Sequence, residues 1–261
     1  MHAKNDYIVV MDSGIGGLSV LGELFRLMPR ERFLYYGDTA NAPYGDRSTQ
    51  QVQQLTLEAV DRAIRQVASR NVKALVVACN TATAAAINAL RAAYPDLIVI
   101  GIEPALKLAA DNYPTGTVGV LATSVTLREE KFAQLARRFP ALQLEKIPLP
   151  GLVERIEAGC SEELLEAFLQ PLLSPYAGKL DAAVLGCTHY PFARNVIQRL
   201  LGSRTAILDG GEGTARQTLR QLQDAGLIND GVGELVFQSS KQDKHFLSRC
   251  QALLSDKINQ S

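Results

Sequence analysis

The sequence predicts an α/β protein built of two pseudo-symmetric α/β domains, each a mainly parallel sheet flanked by helices. Three observations predict it. Short β-branched runs alternate with longer stretches of helical spacing, the rhythm of parallel sheets covered on both faces. Two strand-like runs echo each other: Ala74-Leu75-Val76-Val77-Ala78 leads into Cys79-Asn80-Thr81, and Ala182-Ala183-Val184-Leu185-Gly186 leads into Cys187-Thr188-His189. A glycine loop, Asp12-Ser13-Gly14-Ile15-Gly16-Gly17, stands directly between a strand-like and a helix-like run.

Tyr7–Met11 reads as the first strand, Leu18–Leu27 as a helix and Arg32–Tyr36 as the second strand. Across Thr49–Ala68, Val52, Leu55, Ala59, Val60, Ala63, Ile64 and Val67 fall on one helical face. Ala74–Ala78 is a continuous apolar run, as expected of a strand buried on both faces, and Thr83–Ala93 reads as helix. Ile98–Ile100 and Val118–Leu121 are strand-like, with helices near Pro104–Asp111 and Leu127–Phe139. Leu144–Ile147 reads as a strand, followed by helical stretches to about Leu173. Ala182–Leu185 repeats the buried-strand pattern before another helix. Ala206–Leu208 and Glu234–Gln238 are late strands, with helices near Thr214–Ala225 and Lys241–Leu254.

At roughly 100–200 residues per domain, 261 residues make one large domain or two modest ones. No low-complexity linker separates the halves. The expectation is two closely packed domains around a cleft: residues 1–97 with 209–261, and residues 98–208. A single large sheet is the alternative topology. Ligands of open α/β sheets bind at the carboxyl ends of the strands, where both cysteines would stand.

Hydrophobic residues make up 47% of the chain, enough for a substantial core. The 27 basic and 27 acidic side chains balance, which gives no general attraction to nucleic acid or an anionic membrane. Apolar stretches such as Ala74–Cys79 fall far short of the roughly 20 residues of a membrane span. No apolar signal core follows the start of the chain. A soluble, cytoplasmic protein is therefore expected, with neither nucleic acid nor membrane as partner. Cys79, Cys160, Cys187 and Cys250 form no CxxC pair, and His2, His189 and His245 are scattered, so no metal site is expected.

A lone cysteine is often just a small buried hydrophobe. Cys79, however, stands where a strand hands over to a helix, and free N–H groups at a helix start favour a thiolate. The same reasoning applies to Cys187, where Pro191 suits a helix start. Two thiols facing one carbon would form a symmetric acid–base pair, one removing a proton from one face and the other returning one to the opposite face. A reference pKa of about 8.5 permits both thiol forms near neutrality after modest tuning. Cys160 and Cys250 lack such surroundings.

The glycine loop brings backbone N–H groups close to a ligand carboxylate or phosphate, or is simply a tight turn. It is neither a GxGxxG fingerprint nor a P-loop. Asp12 is a proton-transfer partner or a helix cap. The loop Gly37-Asp38-Thr39-Ala40-Asn41-Ala42-Pro43-Tyr44-Gly45 reads as a plain turn or a binding loop. His189, two residues after Cys187, is a structural histidine or an acid–base group, and a Cys–His hydrolase has to be weighed.

Four blocks together, Asp12-Ser13-Gly14-Ile15-Gly16-Gly17-Leu18, Gly37 to Gly45, Cys79-Asn80-Thr81-Ala82 and Gly186-Cys187-Thr188-His189-Tyr190-Pro191, closely resemble glutamate racemases, in that family's order and over nearly the whole chain. Aspartate racemases share the two-cysteine plan but differ in the first glycine loop and around the second cysteine. The resemblance implies two pseudo-symmetric domains enclosing glutamate, and no pyridoxal phosphate, metal or nucleotide in the reaction. It implies that Cys79 takes the α-proton of the D-enantiomer with help from Asp12. Cys187 would take that of the L-enantiomer with help from His189.

Asp12-Ser13, Tyr44-Gly45, Asn80-Thr81 and Thr188-His189 match the pairs that hold substrate, and Glu154 matches a further carboxylate near the second cysteine. Asp209-Gly210-Gly211-Glu212 departs from the Asp-Ser-Gly of many relatives, so no substrate contact is expected there. The few residues before the first strand leave no room for the extension of relatives controlled by a peptidoglycan precursor, so such control is not expected. The implied pathway is supply of D-glutamate to peptidoglycan. Family members form dimers of differing geometry, so a homodimer is an expectation. An aspartate racemase and a non-catalytic amino-acid-binding protein remain the other readings.

Overall fold

Strand Tyr7–Asp12 (β1) is buried along its whole length, as a central parallel strand covered on both faces must be. The computed structural model that shows this describes residues 2–66, 71–102, 105–128, 130–241 and 244–259. After β1 come Leu18–Leu27 (α1), Arg32–Gly37 (β2), Thr49–Gln66 (α2), Val72–Val77 (β3), Asn80–Ala93 (α3) and Ile98–Gly101 (β4). Val52, Thr56, Ala59, Val60 and Ala63 form the buried face of α2, the 3.6-residue spacing read from the sequence. The expected last residues of that helix, Val67 and Ala68, lie outside the described residues.

The middle of the chain forms its own sheet. It runs Ala105–Asn112 (α4), Thr117–Ala122 (β5), Ser124–Arg128 (α5), Glu130–Arg137 (α6), Gln143–Pro148 (β6), Leu152–Glu157 (α7) and Glu162–Leu173 (α8). Ala182–Leu185 (β7), Arg194–Leu201 (α9) and Ala206–Leu208 (β8) complete it, with short 3-10 turns at Ser174–Tyr176 and Tyr190–Ala193. Residue 104, the expected start of the first of these helices, lies outside the described residues. The single helix expected over 127–139 is two, with residue 129 outside the described residues. The sheet order is β6-β5-β7-β8, every pair parallel. Alternation along its strands builds two cores. Val118, Val120, Ala122, Ala182 and Val184 pack on one face against α4, while Leu121, Ala183 and Leu185 pack on the other against α7, α8 and α9.

The chain then returns to the first sheet through Gly211–Asp224 (α10), Glu234–Ser239 (β9) and Lys244–Asn259 (α11). Residues 242–243 of the last expected helix lie outside the described residues. The first sheet has the order β4-β3-β1-β2-β9, all parallel, with β9 added beside β2. At the amino ends of these strands, buried Lys73 Nζ lies 2.6 Å from buried Glu31 Oε2 and donates to the carbonyls of Lys4 and Leu227. Glu31 Oε1 accepts the Asn229 N–H at 2.8 Å. One ion pair thus ties the start of the chain, β3, the turn before β2 and the loop before β9.

Two compact units result: Met1–Glu103 with Gly211–Ser261, and Pro104–Gly210. The sequence reading put the first change of unit at 97/98. Because β4 pairs with β3 from Ala74↔Ile98 to Val77↔Gly101, that strand belongs to the first sheet. The second change, read at 208/209, falls at 210/211. Among the described residues no helix is long and apolar enough to cross a membrane.

Candidate functional site

In the first unit the chemistry-bearing residues sit at the carboxyl ends of β1, β2 and β3. Cys79 follows β3 and is the N-cap of α3, extended at φ −69° and ψ 124°. Its Sγ accepts the Ala82 N–H at 3.4 Å, so the sulfur takes the place an N-cap oxygen usually fills. The thiol is 5% exposed and lies 3.6 Å from Ser13 Oγ. Asn80 and Thr81, both half-buried, begin the helix beside it.

Asp12 ends β1, fully buried, and its Oδ1 accepts the Gly14 N–H at 2.8 Å. A Cβ on Gly17 would stand 2.6 Å from Asp12 Cβ, so only glycine lets α1 begin over this carboxylate. The loop after β2 is organised by Asp38, a residue the sequence reading passed over. Its N–H donates to the Asp12 carbonyl at 2.9 Å. Its buried carboxylate accepts Tyr44 Oη at 2.6 Å and Asn41 Nδ2 at 3.0 and 3.1 Å. Burial, then the Asp38 hydrogen bond, then negative charge at Asp38, Cys79 and Asp12 push the Tyr44 phenol far above its usual range. The structure therefore brings Asp12, Ser13, Tyr44 and Cys79 together, with half-buried Gly45 next in line.

In the second unit Cys187 follows β7 through Gly186, whose N–H donates to the Leu121 carbonyl at 2.7 Å. The expected likeness to Cys79 stops there. Pro191 starts a 3-10 turn at Tyr190–Ala193, and α9 begins only at Arg194, so Cys187 does not cap an α-helix. Its neighbour is an imidazole instead: Cys187 Sγ lies 3.8 Å from His189 Nδ1. The buried ring is held from behind by Glu157 Oε1, 2.7 Å from Nε2. Thr188, between them, is buried.

Glu154 was expected near the second cysteine, and its charge acts on Tyr190 together with that of Cys187; the carboxylate that reaches His189 is Glu157, one turn of helix on. Leu152 and Ile156 turn inward on α7, which leaves Glu154 exposed and Glu157 half-buried beside the ring. Glu154 acts only at a distance: burial first, then charge at Cys187 and Glu154, raises the Tyr190 phenol. Asp209, where no substrate contact was expected, pairs with Arg194.

None of the four cysteines is in a disulfide; Cys250 is buried in α11 and Cys160 packs against the apolar cluster of α7 and α8. Among the described residues no group of three or more His, Cys, Asp and Glu side chains is arranged to hold a metal ion. Each unit thus sets a thiol at the end of a strand, one 3.6 Å from Ser13 Oγ on the turn that begins at Asp12, the other facing His189, which Glu157 holds.

The Asp/Glu/hydantoin racemase family matches residues 8–218. A glutamate racemase of Clostridium perfringens is 43% identical over 259 residues, covering 97% of this chain and 98% of that protein. The crystal structure of glutamate racemase from Francisella tularensis with D-glutamate matches with a TM-score of 0.83 at 30% identity, over 97% of this chain and 94% of that one. The Escherichia coli glutamate racemase, solved with L-glutamate and the activator UDP-MurNAc-ala, matches at 0.83 and 29% identity, over 97% and 95%.

Proposed function

The chain belongs to the Asp/Glu/hydantoin racemase family, and from that premise we propose that it interconverts L- and D-glutamate by two-base proton exchange at the α-carbon. Cys79 as thiolate takes the α-proton of D-glutamate, and the Cys187 thiol delivers its own proton to the opposite face. L-Glutamate leaves with Cys79 as thiol and Cys187 as thiolate, and the reverse reaction exchanges the roles. No oxidation state changes and every proton is accounted for.

Asp12 assists the first thiol, and His189, held by Glu157, assists the second. Ser13, Tyr44, Gly45, Asn80, Thr81 and Thr188 hold the substrate's carboxylates and ammonium. The α-proton is weakly acidic, so backbone N–H groups must stabilise the carbanionic charge in a site that excludes water. The observation that carries this reading is the thiol that each sheet presents at a strand's carboxyl end, one beside the Ser13 hydroxyl and the other beside the His189 ring. The protons pass between side chains, and this reading needs no metal, nucleotide or pyridoxal phosphate. The wider reading is a cytoplasmic homodimer that supplies D-glutamate to peptidoglycan. It predicts that a strain lacking the protein grows only with added D-glutamate, and that the purified protein sediments as a dimer.

The test is turnover of L-glutamate in deuterium oxide. Optical activity decays and solvent deuterium appears at the α-carbon. Cys79→Ala and Cys187→Ala each lower turnover by about 10²–10⁴-fold. Retention of the original proton, or full activity in either variant, overturns the two-base reading. Activity that needs Cys187 alone and passes through a thioester would mark a hydrolase.

A further inference from the structure

Both backbone polar groups of Gly14 are held by side chains. Its N–H donates to Asp12 Oδ1 at 2.8 Å, and its carbonyl accepts the Tyr35 hydroxyl at 2.9 Å. Tyr35 is wholly buried in β2, its ring 6.3 Å from Phe237 of β9 and 6.5 Å, stacked, from Phe246 of α11. Phe33, two residues earlier on the same face, is equally buried without a hydroxyl. Packing alone therefore does not call for a tyrosine at position 35, and a buried phenol needs a partner.

We propose that Tyr35 is a positioning residue, whose hydroxyl holds the Gly14 carbonyl and so sets the Asp12–Ser13 turn against the Cys79 thiol. The surroundings close off a substitute. A Cβ on Gly37 would lie 2.6 Å from the Gly14 oxygen and 3.1 Å from the Phe246 ring, so the space beside the carbonyl is already filled. Without the hydroxyl that carbonyl is left buried and short of a donor, and the peptide turns to find one. Ser13 and Asp12 sit on the same turn and move with it. Ser13 Oγ, 3.6 Å from the sulfur, is the group that donates to the thiolate once it forms. Losing that donor makes the thiol harder to ionise and spoils the first proton transfer while leaving the second sulfur untouched. This role rests on the proposed two-base reaction, but its mark on the thiol does not.

The experiment compares wild type with Tyr35→Phe in the full chain. First, iodoacetamide alkylation of each cysteine is followed against pH by peptide mass spectrometry. The Cys79 profile moves to higher pH and the Cys187 profile stays in place. Second, kcat/KM falls roughly tenfold, the size of one buried hydrogen bond. The α-deuterium isotope effect grows for D-glutamate and shrinks for L-glutamate, because the step at Cys79 has become the slower one. A merely structural loss would lower the amount of active enzyme and leave both the alkylation profile and the isotope effects unchanged, and that result overturns the proposal. Should wild type show no racemisation, the two-base reading fails, while the alkylation profiles still decide the role of Tyr35.

Discussion

His189 Nε2 lies 2.7 Å from Glu157 Oε1, and the ring's other nitrogen faces Cys187 Sγ at 3.8 Å. A carboxylate on Nε2 keeps a proton there, so a neutral ring offers a bare Nδ1 to the thiol. Glu157→Gln retains the shape but presents either an oxygen or an amide N–H, and the wrong rotamer reverses the tautomer. We expect kcat to fall about tenfold or more, against less than about twofold for Glu154→Gln on the exposed side of the same helix. Steady-state racemisation of L-glutamate by the two variants checks this.

Lys73 and Glu31 make a buried ion pair that also satisfies three backbone groups. Removing one partner strands the other's charge out of water. Lys73→Met is therefore expected to cost about 3–5 kcal/mol, and adding Glu31→Gln to recover part of it. A double-mutant cycle by urea unfolding measures the coupling.

Burial raises the phenols of Tyr44 and Tyr190 above the ordinary value of 10.0. The unfolded chain then loses these protons first, so the folded state binds more of them and stability falls as pH rises above that value. Each proton contributes a slope of about 1.4 kcal/mol per pH unit. Tyr190→Phe removes one, so its unfolding free energy should decline less steeply than that of wild type above about pH 10. Lys73, lowered by burial, acts with the opposite sign, but it is common to both proteins and cancels in the difference. Parallel slopes would show that Tyr190 ionises freely in the folded state.

Local rules made much of this molecule readable. The run Ala74–Ala78 announced a strand buried on both faces, and Cys79 behind it caps a helix as the helix-start argument required. The same argument failed at Cys187, where Pro191 opens a 3-10 turn before the helix proper. Strand assignment to sheets was harder. Ile98–Gly101 looks alike whichever sheet it joins, because the hydrogen bonds that decide it reach across the whole of α3 to β3. That Glu157 meets the ring depends on helix phase. At about 100° per residue, Glu154 stands roughly 180° from the midpoint of the buried pair Leu152 and Ile156 and Glu157 roughly 120°, closer to the buried face. In so short a helix that phase is set by tertiary packing. Asp38 drew no role of its own because its carboxylate bonds depend on how its loop folds, and Tyr35 drew none because a hydrogen bond to a distant loop leaves no periodic mark.

The return of β9 to pair with β2 reaches across some two hundred residues. As the chain leaves the ribosome, the middle unit is synthesised whole and is free to fold early, whereas the first sheet waits for its edge strand and for α11. Until then β2 presents an open edge and Tyr35 lacks both aromatic neighbours. The glycine loop's support therefore cannot assemble until residue 246 has been made, and a ribosome stalled before residue 234 would hold a first unit still without its edge strand.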